Sequence, residues 1–248
     1  MTFTTRFRVG AAALVVGAAL LATAPAFAQT TTASSDPAPP ARLTDLKARA
    51  DQAVKDRLTQ IDTLSGRLSG AGADCGQNAD VAGQLASDRT GLQSLDATIQ
   101  AETDYAKART EYRQIFTDFR IYWLQTPKTD QVVACDRESK ADATLTALKQ
   151  KIQSRIDEAK AKGYDVSGAQ AAVDDMGAKL TDATAQSTQA SSSVADLQPD
   201  KGDQSVLTSN LAALAKGRQD LHTGWSDLQA ARQDARTAID DLKALHKS

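Results

Sequence analysis

The sequence predicts an all-α protein, an elongated antiparallel helical bundle or coiled coil of five to six helices. Three observations carry this. Apolar residues recur every three to four positions over long stretches. Aromatic residues make up only 4% of the chain, and Pro127 and Pro199 are the only prolines after residue 40, which suits long helices and not sheets. Short Gly- or Pro-rich breaks separate the periodic stretches.

The first stripe runs through Leu43, Leu46, Ala50, Val54, Leu58, Ile61, Leu64 and Leu68 and ends at the glycine-rich stretch 70–74. A second helix starts near Gln77 and turns Val81, Leu85, Leu92, Leu95 and Ile99 inward. A third is expected from Asp136, an N-cap residue type, through Ala141, Leu145, Leu148, Ile152, Ile156 and Ala159 to Gly163. The fourth has a capping-box pattern at Ser167–Gln170, with Val166 placed to staple onto Ala171. Its seam, Ala169, Val173, Met176, Leu180, Ala183, Ser187, Ala190, Val194 and Leu197, steps alternately by four and three, the spacing of a supercoiled coil. Met176 reads as filler of that seam.

After the loop 198–202, the last helix spans about Asp203 to Leu245. It carries a ladder of Leu207, Leu214, Leu221, Leu228, Ala235 and Leu242. The second seam row is read as Leu211, Arg218, Trp225, Arg232, Ile239 and His246, flanked by small residues at Gly217, Gly224, Ala231 and Ala238. A DNA-binding zipper needs a basic region before the first heptad, and residues 195–206 supply only Lys201. A homo-oligomer through this helix stays open, although a parallel dimer would set Arg218 and Arg232 against their own copies. An antiparallel partner within the chain, the fourth helix, avoids that.

Compartment follows from the first 28 residues. Arg6 and Arg8 precede an apolar run from Val9 to Ala24, and Ala26 and Ala28 occupy the small-residue positions before a cut between Ala28 and Gln29. The run is shorter than the roughly 20 residues needed to span a bilayer. The domain reading is a cleavable signal peptide at 1–28, a disordered, proline-punctuated leader at 29–41, and a helical bundle over 42–248. The mature chain then has no transmembrane segment and is secreted or otherwise extracytoplasmic. The whole sequence has net charge −2, and losing Arg6 and Arg8 makes it about −4. A mixed acidic balance argues against nucleic acid as a partner.

Residues 112–135 concentrate aromatics in a chain otherwise poor in them: Tyr112, Phe116, Phe119, Tyr122 and Trp123. Periodicity does not separate a helix ending at Pro127 from a short hairpin over 119–135. A packing cluster at one end of the bundle is the favoured role, and a ligand-binding aromatic patch is the alternative. The string Asp118-Phe119-Arg120-Ile121-Tyr122-Trp123-Leu124, with Pro127-Lys128, Ala134 and Asp136, resembles a recurring segment of uncharacterised exported helical proteins of high-GC Gram-positive bacteria. The resemblance extends through Ala159-Lys160, Gly163-Tyr164-Asp165 and the Leu-rich final helix. It implies export and a helical fold, and brings no activity with it.

Cys75 and Cys135 both fall in inferred connections, and an even pair in an exported chain reads as a disulfide. One straight helix over 78–125 would place its ends roughly 70 Å apart at ~1.5 Å per residue, so a bond requires the chain to reverse. Thr103-Asp104 is the best turning point, because the hydrophobic phase slips there; a continuous helix with reduced thiols is the alternative.

No Ser/His/Asp order, phosphate loop or metal-ligand spacing is present, and His222 and His246 stand 24 residues apart. Both histidines, and Trp225, are read first as seam residues. The sequence therefore predicts no catalytic, cofactor-binding or metal-binding residue, no cofactor, and a non-enzymatic protein. The expected function is an extracytoplasmic interaction or scaffold module whose partner is a protein or a cell-envelope component. The alternatives are a lipid- or small-hydrophobe-binding helical protein, suggested by the Ala-rich fourth seam, and a cell-wall-associated binding protein.

Overall fold

Two prolines open the first helix, where a fixed φ is already helical and the missing N–H would have had no partner. The computed structural model describes residues 39–245; residues 1–28, read above as a signal peptide with its cut between Ala28 and Gln29, residues 29–38 and His246 lie outside them. Within these bounds run α1 (Pro39–Ala71), α2 (Asn78–Ala101), α3 (Tyr105–Thr117), a π turn (Ile121–Gln125), α4 (Thr126–Ala161), α5 (Ser167–Ala195) and α6 (Gln204–Leu245). No strand occurs among the described residues. Residues 39–41, expected to be disordered leader, are the first turn of α1.

The stripe on α1 faces inward as its spacing predicts, with Ala50, Val54, Ile61 and Leu64 almost fully buried. α2 returns antiparallel to it: Lys47 Nζ donates to the Gln100 carbonyl at 2.7 Å, and Gln100 Nε2 donates to the Lys47 carbonyl at 3.0 Å. The chain then reverses. Asp104 caps α3, its carboxylate accepting the amides of Ala106 at 2.7 Å and Lys107 at 3.0 Å. The phase slip at Thr103-Asp104 thus marks a real break, and Cys75 and Cys135 are joined by a disulfide with Cα atoms 6.0 Å apart.

The helix expected from Asp136 begins earlier, at Thr126. Pro127 opens this helix and does not end the one before it, and neither a helix ending at Pro127 nor a hairpin forms over 119–135. Asp136 is indeed a capping side chain, but for another element. It lies buried in the middle of α4, and its carboxylate accepts the Cys75 amide at 2.9 Å and Asn78 Nδ2 at 2.7 Å, tying down the loop before α2. Lys140, one turn on, donates to the Ala71 carbonyl at the end of α1. α4 stops where predicted. Gly163 has φ +86°, and the amides of Gly163 and Tyr164 bond back to the carbonyls of Lys160 at 2.9 Å and Ala159 at 3.2 Å.

The capping box at Ser167 does not form. The Ser167 amide is met by the Asp165 carboxylate at 3.0 Å, and Gln170 pairs with Gln153 of α4. Asp165 was available two residues upstream, and its carboxylate is a stronger acceptor than a serine hydroxyl. Every predicted α5 seam residue from Ala169 to Val194 is buried. α6 folds back along it, with Lys179 Nζ 2.5 Å from Asp234 Oδ2 and Asn210 Nδ2 donating to the Gln198 carbonyl at 2.8 Å.

The second seam row on α6 differs from expectation. Gly217, Gly224, Ala231 and Ala238 are buried alongside the Leu ladder, whereas Leu211 and Trp225 are exposed, Trp225 by 48%. Close approach decides it. A Cβ on Gly217 would run into Gln131 of α4, and one on Gly224 would stand 3.0 Å from Glu138 Oε2 and 3.2 Å from the Ala183 carbonyl. Only the small row lets three helices meet there.

Two cores result. One gathers Val54, Ile61, Leu85, Ile99, Ile115 and Val132 from α1 to α4; the other gathers Ile152, Ile156, Val173, Met176, Leu180 and Leu228 from α4 to α6. α4 belongs to both.

Candidate functional site

The segment that joins the two cores is the first half of α4, and it is buried on nearly every face although much of it is polar. Lys128, Thr129 and Asp136 are 0% exposed, and Gln125, Gln131 and Glu138 are close to that. Most buried polar side chains are answered from within the fold, although Thr129 Oγ1, Gln125 Oε1 and Gln131 Oε1 have no hydrogen-bond partner among the described residues. Lys128 Nζ donates to Gln84 Oε1 of α2 at 2.6 Å and to the Leu197 carbonyl after α5 at 3.1 Å. Gln125 Nε2 donates to Asp88 at 2.7 Å, and Gln131 Nε2 to the Leu214 carbonyl of α6 at 2.8 Å. Ser187 of α5 donates to Glu138. One short stretch of α4 is therefore pinned to α2, α5 and α6 through side-chain hydrogen bonds.

Loss of water shifts these ionisations. Burial pushes the Glu138 carboxyl up to about 7, with the Ser187 hydroxyl only partly offsetting it. Burial raises Asp88 to about 6 against the opposing Gln125 amide and Lys128 charge. Burial also lowers Lys128 to about 8, opposed by Asp196, Asp88 and Asp80. Asp142, one turn beyond Glu138, is raised by burial as well.

Just before this segment the backbone takes an uncommon path. Arg120 has φ +48°, a left-handed conformation that costs a non-glycine residue about 1–2 kcal/mol. Its guanidinium grips Asp200 of the α5–α6 loop in a forked pair, Nε–Oδ2 2.6 Å and Nη2–Oδ1 2.8 Å. The Asp200 side chain is 2% exposed, and the Arg120 hydrogen bond holds its carboxyl below the usual range. Lys201, the neighbour of Asp200, is the other positive-φ non-glycine residue among those described, at φ +50°, and its amide donates to the Thr117 carbonyl at 3.2 Å. A bidentate charged contact offsets strain on both sides of it.

The π turn follows, with Thr126 Oγ1 donating to the Ile121 carbonyl at 3.0 Å. Ile121 and Leu124 point inward; Tyr122 and Trp123 are 46% and 65% exposed. Beneath them the half-exposed Phe116 meets Tyr112 edge-on, ring centroids 5.1 Å apart. The guanidinium of Arg57, buried on α1, lies 4.4 Å from the Phe116 ring centre and 5.3 Å from that of Tyr122. Such contacts contribute about 0.5–2 kcal/mol each and fix the rings in place. The aromatics read as interior packing are therefore partly a surface, anchored from below by a cation.

Of the residues singled out from sequence, Cys75 and Cys135 meet, while Trp225 and His222 stand exposed on α6, apart from this site. Lys128, Glu138, Asp88, Arg57 and Asp200 gave no functional reading in the sequence. Arg57 did leave a trace there, a cation within the apolar stripe between Val54 and Ile61. Among the described residues no cluster of three or more His, Cys, Asp or Glu could hold a metal ion, and no helix is long and apolar enough to cross a membrane. Neither family models, nor curated proteins, nor solved structures match the chain.

Proposed function

We propose that this chain is an exported, non-enzymatic interaction or scaffold module, and that Phe116, Tyr122 and Trp123 form its contact surface for a protein or cell-envelope component. Exposure of these rings carries the reading: in a chain only 4% aromatic, Trp123 is 65% exposed on a backbone fixed by an ion pair and a disulfide-bonded core. Rigid aromatic side chains presented on a fixed frame are efficient contact residues, because little conformational freedom is lost on binding. The signal-like pattern of residues 1–28 supports export. We read α5 and α6 as a coiled-coil arm, supported by buried positions that step alternately by three and four on both helices.

Fractionation of the native host tests this. The mature chain, starting at Gln29 by intact mass, is expected with the wall or membrane. A Tyr122→Ser/Trp123→Ser variant of unchanged helicity is expected in the medium. Identical distributions of the two would remove the aromatic surface from consideration, and a retained Met1 would remove export.

A further inference from the structure

At the far end of α4 from the π turn, a groove of about 670 Å³ opens between the last turns of α4 and of α6. Its volume falls within the range of small-molecule sites, ~300–1,000 Å³. Ile152, Ala159, Ile239 and Leu242 supply apolar lining. Lys151, Arg155, Lys162 and Lys243 stand around it, against one acid, Glu158. This concentration of positive charge occurs on a chain whose net charge is −2.

Helix ends explain part of it. Lys162 and Lys243 lie by the C-termini of α4 and α6, where a cation offsets the partial negative charge of the last carbonyls. That effect fades within the last turn. Lys151 and Arg155 lie ten and six residues before Ala161, beyond its reach. Arg155 pairs with Glu158 at 2.9 Å and Lys243 with Asp240 at 3.0 Å, both as exposed near-neighbour pairs on one helix. No described carboxylate forms an ion pair with Lys151 or Lys162. An apolar trough bordered by two ammonium groups without carboxylate partners is complementary to a molecule with an alkyl chain and a negative head.

We propose that this groove binds a single-chain anionic amphiphile, as a monomer, with the chain on Ile152, Ile239 and Leu242 and the head at the cationic rim that Lys151 and Lys162 mark. The aromatic surface and this groove lie at opposite ends of α4, so the two readings stand or fall separately. The expected geometry puts the carboxylate near water at the rim and removes the alkyl chain from it, the burial that drives such binding.

Isothermal titration of the disulfide-bonded chain with dodecanoate at neutral pH, below micellar concentration, is the test. One saturable site per chain is expected. Dodecylammonium, with the same chain and opposite charge, should bind at least tenfold more weakly. Lys151→Glu/Lys162→Glu should lose at least tenfold in dodecanoate affinity with unchanged helicity and Tm. Should that double variant fail to fold, Lys151→Gln/Lys162→Gln takes its place with the same expectation. Absence of a saturable site, equal affinity for the two ions, or indifference to the lysine changes would overturn the proposal. So would binding to phosphatidylglycerol vesicles without binding of monomeric dodecanoate, since that would assign the charge to a membrane surface.

Discussion

Glu138 offers the sharpest test of how the polar segment of α4 is held. The residue is 5% exposed, and beside its carboxyl Gly224 has no side chain that could add a donor; the donor it has is the Ser187 hydroxyl. Burial places its pKa at about 7, against an ordinary value of 4.5. Below pH 4.5 the carboxyl is protonated in both folded and unfolded chains and carries no charge penalty. Between 4.5 and 7 the folded chain retains a proton that the unfolded chain has released, so stability falls as pH rises. Above 7 the loss is complete, at about 3 kcal/mol. Glu138→Gln keeps the shape and can still meet Ser187, but has no charge to bury. The stability difference between variant and wild type should therefore be small at pH 4.5 and reach up to about 3 kcal/mol in the variant's favour at pH 8. At ~2–4 °C per kcal/mol for a domain of this size, that is a gain of roughly 6–12 °C in Tm. Asp88 and Lys128 also titrate near this range, but they are common to both proteins and cancel in the difference. Thermal unfolding followed by circular dichroism at the two pH values is sufficient. A gap that does not change with pH, or a variant less stable at pH 8, would refute the account of Glu138 as a buried charge.

Other consequences can be checked more quickly. Replacing Cys75 and Cys135 by Ser opens a loop spanning 60 positions and should cost roughly 4 kcal/mol on the chain-entropy account, seen as a lower urea midpoint with helicity at 25 °C retained. Gly217→Ala puts a Cβ against Gln131, whose hydrogen bond to the Leu214 carbonyl is then at risk; overpacking of this kind costs about 1–3 kcal/mol, measured by denaturant unfolding, whereas Ala at the open, mid-helix Gly83 should raise stability by about 0.5–1 kcal/mol. Asp200→Ala leaves Arg120 strained without its partner and should speed hydrogen exchange at residues 118–125 and 198–202 before it affects α2.

Most helix positions were readable because an amphipathic helix writes its own period into the chain. Leu46 to Leu68 on α1, except the half-buried Leu58, and Ala169 to Val194 on α5 bury the residues that their spacing selects. Asp104 was readable for a related reason, since a capping side chain acts on amides two and three residues away. The disulfide was readable in part: two cysteines and an exported-looking chain suggest a bond, and the distance constraint then asks for a turn between them.

What tertiary structure decided is where neighbours, and not the period, set the outcome. The first half of α4 shows no amphipathic stripe because it is enclosed on nearly every side, so a helix looked like a connection. Asp136 had the chemistry of a cap, but which helix it serves depends on a loop sixty residues away. On α6 the Leu ladder was plain, yet two rows flank it at helical spacing, and the sequence favours the bulkier one as core. The smaller row is buried, because a third helix brings Gln131 and Glu138 to within contact of Gly217 and Gly224, and no property of α6 alone records that approach. Leu211 and Trp225 are consequently left at the surface. Local sequence fixes hydrogen bonds and periodicities a few residues in reach, whereas exposure is a property of all the helices packed together.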